Sequence, residues 1–176
     1  MKKFVLILCV LLSSYGFSEI DSQKVVNNYW YFDLGAGPLP ILFPIFGFGH
    51  RDQIDHHGFN FGARGTTVIE YTAVKLNLDY LYYFVPNFER QNYIGIGLSP
   101  AIIWESRYYS HSKITPFISP NLLLGKEYVS DAGGRRFFEA DINWPMVFFK
   151  HVGSHKHTKP GLVWFPSVIL SYGWAF

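Results

Sequence analysis

The stretch Val168-Ile-Leu-Ser-Tyr-Gly-Trp-Ala-Phe176 alternates strictly between large and mostly small residues up to the last position of the sequence. Successive side chains of a strand point to opposite faces. A strand of a soluble sheet normally turns large residues to a core and polar residues to water. A membrane-barrel strand instead has lipid outside and a crowded lumen inside. The pattern therefore favours a barrel strand over a buried edge strand. Its large-residue face consists of Val168, Leu170, Tyr172, Trp174 and Phe176.

The same period of two recurs in the segments 74–84, 93–105 and 137–148, which is a strand signal. The large residues occupy odd positions from His57 to Tyr71 and even positions from Val74 onward, so the chain is expected to turn near Thr72. Turn signals include Arg51-Asp52-Gln53. Eight strands are predicted near 28–37, 42–51, 56–71, 74–85, 91–105, 112–128, 135–149 and 161–176.

Several prolines fall inside these predicted strands. A closed barrel has no edge at which a missing N–H can be hidden, so each proline requires a bulge or a shorter strand. The barrel is therefore expected to be irregular. The prolines concerned are Pro44, Pro100, Pro116, Pro120, Pro145 and Pro166.

The beginning of the chain has the features of an exported protein. A basic start is followed by an apolar run and small polar residues, which predicts a signal peptide over residues 1–18. Residues 19–176 then form one predicted domain, and the only cysteine, Cys9, lies outside it. Disulfides, thiol catalysis and cysteine-ligated zinc are thereby excluded for that domain.

The composition of the chain agrees with a membrane barrel. Charged residues make up 16% of the chain and hydrophobic residues 49%, yet no run after the signal peptide approaches the length of a transmembrane helix. A net charge of +2 is too small to indicate a nucleic-acid partner. The threading also predicts two aromatic rims. One rim contains Trp30, Tyr82, Phe84, Phe138, Trp174 and Phe176, and the other contains Trp104, Phe148 and Trp164.

The signal peptide and the C-terminal alternation resemble those of small bacterial outer-membrane β-barrel proteins, such as the OmpA transmembrane domain and the OmpX-like proteins. The resemblance implies an all-β fold, an eight-stranded antiparallel transmembrane up-and-down β-barrel located in the outer membrane. It implies outer-membrane lipid and lipopolysaccharide as partners, and recognition of the C-terminal strand by the barrel-insertion machinery. It also implies a structural or surface-interaction role through the outer loops, with no cofactor and an unidentified surface ligand.

Charged and polar residues share the predicted inner face. An eight-stranded barrel is just wide enough for side chains to fill it, so these groups are expected to pair and plug the lumen. The alternative is a small pore that favours cations, because acidic groups outnumber basic ones there. The residues expected in this polar network are Arg64, Lys75, Asp79, Glu139 and Asp141.

Three histidines share one predicted outer loop with three lysines. Imidazoles can bind zinc or copper, but the lysines disfavour a cation and the loop has no acidic residue. A basic loop that meets lipopolysaccharide phosphates is therefore predicted, without a metal. The histidines are His151, His155 and His157.

Two further classes of protein remain as alternatives. A lipid A deacylase-like enzyme would use a His/Ser/acid arrangement. However, His111-Ser112 and His151 with Ser154 do not match the His-x-Ser-Asn pattern of that family. A secreted soluble barrel would place its large residues inside and leave charges such as Asp79 in water.

Overall fold

The structure, a computed structural model, describes residues 25–37, 43–68, 71–86, 89–105, 113–130, 134–144, 146–152, 157–163 and 166–176. No helix in this part of the chain is long and apolar enough to span a membrane. The strands are β1 (Val26–Gly37), β2 (Phe43–Ile54), β3 (His57–Val68), β4 (Tyr71–Tyr83), β5 (Arg90–Glu105), β6 (Lys113–Val129), β7 (Arg135–Asn143), β8 (Met146–Val152), β9 (His157–Val163) and β10 (Ser167–Ala175).

The strands form a closed antiparallel barrel. Each strand from β1 to β6 pairs with the next, β7 pairs with β6 and β10, and β10 pairs with β1. Since β8 continues β7 and β9 leads into β10, the ten segments make eight barrel strands. The predicted eight-stranded all-antiparallel fold is thus confirmed.

Prolines mark the breaks in the last two barrel strands. Asn143 pairs with Asn121 and Val147 pairs with Ile118. Three residues, Pro145 among them in the sequence, separate Asn143 from Val147, but only two separate Ile118 from Asn121 on β6. The partner strand shows a second mismatch. Three residues, including Pro166, separate Val163 from Ser167, but only two separate their ladder partners, Met146 and Asn143. Such an extra residue is a β-bulge. Pro100 lies where the β4–β5 ladder is interrupted. The expectation of an irregular barrel is confirmed at Pro100 and Pro166, whereas Pro145 itself lies outside the described residues. The prediction of a bulge or a shorter strand at every proline is wrong, because the β1–β2 ladder continues in register through Pro44 and the β5–β6 ladder through Pro116 and Pro120.

The predicted turn at Arg51-Asp52-Gln53 is wrong. Strand β2 continues to Ile54, and the chain reverses at Asp55, whose φ is 52°, and His56. Aspartate tolerates this left-handed conformation better than most residues. The polar run resembles a turn signal because two of its side chains, Arg51 and Gln53, point into a polar interior.

The reversal expected near Thr72 is found just before that residue. Val68 at the end of β3 pairs with Tyr71 at the start of β4, and Thr67 pairs with Thr72. Outward side chains are odd-numbered in β3 and even-numbered in β4, as the change of phase predicted.

The predicted loop from Lys150 to Pro160 is largely a hairpin. Lys150 pairs with Lys159, and His151 pairs with Thr158. Only residues 153–156 connect β8 to β9. The sequence gives no strand signal here because residues 150–160 are mostly polar and do not alternate with large apolar residues.

The two faces of the barrel wall are chemically opposite. Large apolar side chains are exposed outside, and charged side chains are buried inside, which is the reverse of a soluble barrel. Exposed aromatic residues lie near the barrel end that holds the Asp55–His56 turn, and Trp104 lies near the other end. Phe148 is half-buried, and Trp164 lies outside the described residues. The first rim comprises Trp30, Tyr82, Phe84, Phe138, Trp174 and Phe176.

Candidate functional site: the polar interior of the barrel

Alternation along every barrel strand places polar side chains inside the barrel. Because these groups are removed from water, each needs a partner within the barrel. The buried polar residues are Asn27, Asp33, Arg51, Gln53, Asn60, Arg64, Lys75, Asn77, Asp79, Gln91, Ser99, Thr115, Ser119, Asn121, Glu127, Glu139, Asp141, Asn143 and Ser171.

Arg64 on β3 is the centre of one cluster. Its guanidinium donates to Asp33 Oδ2 from Nε at 2.8 Å and to Glu139 Oε1 from Nη2 at 2.6 Å. Its Nη1 donates to Asp141 Oδ2 at 3.1 Å, and Lys75 Nζ pairs with the same carboxylate. Four of the five residues expected in the polar network, Arg64, Lys75, Glu139 and Asp141, are therefore in direct contact.

Asp79, the fifth of these residues, is held separately. Asn60 Nδ2 donates to its Oδ2 at 2.7 Å, and Asn121 Nδ2 donates to its Oδ1 at 2.8 Å. These contacts join β4 to β3 and β6 through amide groups. Asp79 therefore lies outside the Arg64 cluster.

Arg51 on β2 is the main interior residue that the sequence reading missed. It is fully buried, and its Nη1 donates to Glu127 Oε1 at 2.7 Å and to the Tyr93 hydroxyl at 2.9 Å. Its Nη2 donates to Glu139 Oε2 at 2.9 Å. Glu139 thus accepts from both Arg51 and Arg64, which joins the two arginine clusters.

Three aromatic rings surround the Arg51 guanidinium. The distances from its central carbon to the ring centroids are 5.4 Å for Tyr31, 4.9 Å for Tyr93 and 4.8 Å for Phe137. Rings at this distance attract a cation through their quadrupole. We call Arg51 with these three rings the Arg51 cage.

Each ring of the Arg51 cage lies over a glycine on the neighbouring strand. Tyr31 pairs with Gly49, Tyr93 with Gly125 and Phe137 with Gly173. A Cβ atom at any of these glycines would collide with the ring of its partner. The glycines therefore provide the space that the cage occupies.

Glu127 extends the network toward the end of the barrel that holds the Asp55–His56 turn. It accepts from the Tyr29 hydroxyl at 2.5 Å, from Gln91 Nε2 at 2.8 Å and from Arg135 Nη1 at 3.1 Å. Gln91 also exchanges hydrogen bonds with Gln53. Contacts among described side chains thus continue along the interior toward this end.

The charges of the interior nearly balance. The described buried residues include three cations, Arg51, Arg64 and Lys75, and the half-buried Arg135 adds a fourth. Five buried carboxylates oppose them. This arrangement is suited to holding the barrel walls together. The carboxylates are Asp33, Asp79, Glu127, Glu139 and Asp141.

The C-terminal strand presents the large face read from the sequence to the outside. Leu170, Trp174 and Phe176 are exposed, while Val168 and Tyr172 are half-buried. The Phe176 N–H donates to Trp30 O at 2.9 Å, so Phe176 is hydrogen-bonded to β1.

The residues considered for metal binding or catalysis are described in part. His151 and His157 lie in β8 and β9, whereas His155 falls outside the described residues, as do His111, Ser112 and Ser154. Within the described part of the chain, no group of three or more His, Cys, Asp or Glu side chains is arranged to hold a metal ion.

Comparisons with known proteins identify the architecture. No family model matches the chain, and no curated protein matches it. Among solved structures, the N-terminal β-barrel domain of Pseudomonas aeruginosa OprF is 14% identical with a TM-score of 0.57, covering 86% of this chain and 100% of that one. Neisserial surface protein A (NspA) is 13% identical with a TM-score of 0.59, covering 86% of this chain and 97% of that one. The chain therefore has the closed eight-stranded β-barrel fold of these two proteins.

Proposed function

We propose that this protein is an integral barrel of the bacterial outer membrane, with a lumen closed by its own side chains and a structural or surface-interaction role. The apolar outer face supports the location, because large side chains such as Phe46, Phe61 and Leu98 are exposed where lipid would contact them. The fold similarity to OprF and NspA supports it as well.

The observation that carries the proposal of a closed lumen is the shared use of Glu139. Its two carboxylate oxygens accept from Arg51 on β2 and Arg64 on β3, while Glu139 itself lies on β7. In the ring of strands, β1 and β10 separate β7 from β2. The ion pairs therefore cross the interior, and an ion passing through would have to break charge-assisted bonds.

The proposed partners follow from the two ends of the barrel. Val25, Phe176 and the turns near Asp55 and Ser130 share one end, which in this proposal faces the periplasm. The strand ends Gly37, Val68, Glu105 and Val152 lie at the other end, which faces the outside. In this proposal the outer loops that follow them in sequence contact lipopolysaccharide and an unidentified surface ligand. The C-terminal strand is the segment that the insertion machinery recognises.

Envelope fractionation and planar-bilayer recording test the proposal. The expressed chain should appear in the outer-membrane fraction and migrate differently with and without boiling, as folded barrels do. The refolded protein should show no sustained conductance. A soluble chain without heat-modifiable migration would refute the membrane assignment, and steady ion currents from the wild type would refute the closed lumen.

A matched pair of variants sharpens the conductance test. Removal of the central ion pairs by Arg51→Ala with Glu139→Ala should open the interior and raise conductance. Asn92→Ala, which changes an exposed residue of β5, should leave conductance unchanged.

A cation-favouring pore is the second candidate, and the excess of buried carboxylates over buried cations favours it. Asp79 in particular is held by the amides of Asn60 and Asn121. Reversal potentials in a salt gradient identify this case, because a pore lined in this way would pass potassium in preference to chloride.

A further inference from the structure

A cluster of basic and tyrosine side chains lies on the outer face of the barrel, away from the polar interior. Ladder pairing sets eight outward residues of β5, β6, β7 and β10 in two adjacent rows. We call these eight residues the basic patch. The first row is Arg90, Tyr128, Arg136 and Trp174, and the second is Asn92, Lys126, Phe138 and Tyr172.

Hydrogen bonds order the polar groups of the basic patch. The Tyr128 and Tyr172 hydroxyls are 2.8 Å apart, although β7 lies between their strands. Arg136 Nη1 donates to the Tyr172 hydroxyl at 3.5 Å. The Tyr172 and Trp174 rings meet edge to face with centroids 4.8 Å apart. A guanidinium and two hydroxyls are thereby held together on the outer surface.

The charge of the basic patch is of one sign. Arg90 and Lys126 are exposed and Arg136 is half-buried, and neither row contains a carboxylate. Glu127 and Glu139 adjoin patch residues in sequence but are buried in the interior, and Glu89, beside Arg90, lies outside the two rows. The outward acidic side chain Asp52 is on β2, where it is hydrogen-bonded to Asn28.

The depth of the basic patch in the proposed membrane follows from the next row along the same strands. On the side of the patch that faces the middle of the barrel, that row is entirely apolar. On the opposite side, the strands end in turns and at the C-terminus. The patch therefore lies at the boundary of the apolar belt, where lipid headgroups begin. The apolar row is Ile94, Leu124, Ala140 and Leu170.

We infer that the basic patch binds the phosphate group of an anionic phospholipid in the leaflet on the side of the Asp55–His56 turn. Guanidinium, ammonium and hydroxyl donors match phosphate oxygens. Lipid is the occupant that the position favours, because the patch is continuous with the apolar surface of Leu124 and Leu170, along which acyl chains would pack. The inference rests on the proposed membrane location.

Native mass spectrometry of the folded protein in neutral detergent tests the inference. Titration with phosphatidylglycerol should give bound adducts at lower concentration than titration with phosphatidylcholine. Arg136→Gln and Lys126→Gln should each weaken phosphatidylglycerol binding by about fivefold, from about 1 kcal/mol per basic residue near an anionic surface. Tyr172→Phe should weaken it less, because it removes one hydroxyl and no charge.

Lys113→Gln is the matched control, since it removes the same charge from the first residue of β6, near the opposite end of the barrel. It should bind phosphatidylglycerol like the wild type. Equal binding of the two lipids by folded wild type, or equal losses in Lys126→Gln and Lys113→Gln, would overturn the inference. Full displacement by millimolar inorganic phosphate would identify a free-anion site and overturn it too. A chain that fails to insert into vesicles would overturn the proposed function as well. Heat-modifiable migration reports whether the barrel has folded and so distinguishes the two outcomes.

Discussion

Replacement of Arg51 by methionine is the most direct test of how the interior stabilises the barrel. Methionine keeps much of the side-chain length and removes the guanidinium. The substitution leaves Glu127 and Glu139 in place but deletes their hydrogen bonds from Arg51, together with its bond to the Tyr93 hydroxyl. It also leaves the three rings of the Arg51 cage without their cation.

The expected loss can be worked out from these contacts. Breaking a buried ion pair by removing one partner costs about 3–5 kcal/mol, because the remaining charge stays buried. Here each carboxylate keeps another cation, since Glu127 retains Arg135 and Glu139 retains Arg64. We therefore expect the free energy of unfolding to fall by about 3 kcal/mol, the low end of that range. Arg51→Lys should lose less, because it keeps the charge but not the planar fork.

Urea titration of the barrel refolded into phospholipid vesicles, followed by tryptophan fluorescence, measures this loss. Arg135→Met is the matched control, because it removes the same group from a half-buried position, where Arg135 pairs with Glu127. Arg135→Met should cost less than Arg51→Met, because the Arg135 guanidinium is partly accessible to water and Glu127 keeps its pair with Arg51. Unchanged stability of Arg51→Met, or an equal loss in Arg135→Met, would refute the reasoning.

Three further substitutions test other parts of the structure. Gly125→Val should prevent folding or lower the unfolding free energy by more than about 1 kcal/mol, since its Cβ meets the Tyr93 ring; a normal urea midpoint would contradict this. Phe61→Arg should cost about 2–4 kcal/mol in vesicles if this exposed residue faces lipid, against about 0–1 for Asn92→Arg near the interface; equal costs would argue against the proposed depth. Phe176→Ser should lower the amount of folded barrel in cells yet leave refolding in vitro nearly intact; equal cellular levels would weaken the proposed role of the C-terminal strand.

Much of the fold could be predicted from the sequence because alternation is a local property. The eight strands, the change of phase between β3 and β4 and the outward face of the C-terminal strand all follow from a period of two. Prolines likewise indicated irregularity, and Pro166 lies at a register shift, whereas Pro44, Pro116 and Pro120 are paired in register. The part of the β8–β9 hairpin between Lys150 and Pro160 escaped prediction, since these residues show no alternation in the sequence.

The interior shows where sequence reasoning ends. Alternation by itself determined that Arg64, Lys75 and Asp79 point to the same side of the wall as Glu139, but it contains no information about which strands face each other across the barrel. Only the closed tertiary structure decided that Glu139 joins Arg51 and Arg64 while Asp79 is held by amides. The physical reason is that strand tilt and closure set which residues meet in the lumen, and these properties depend on every ladder at once.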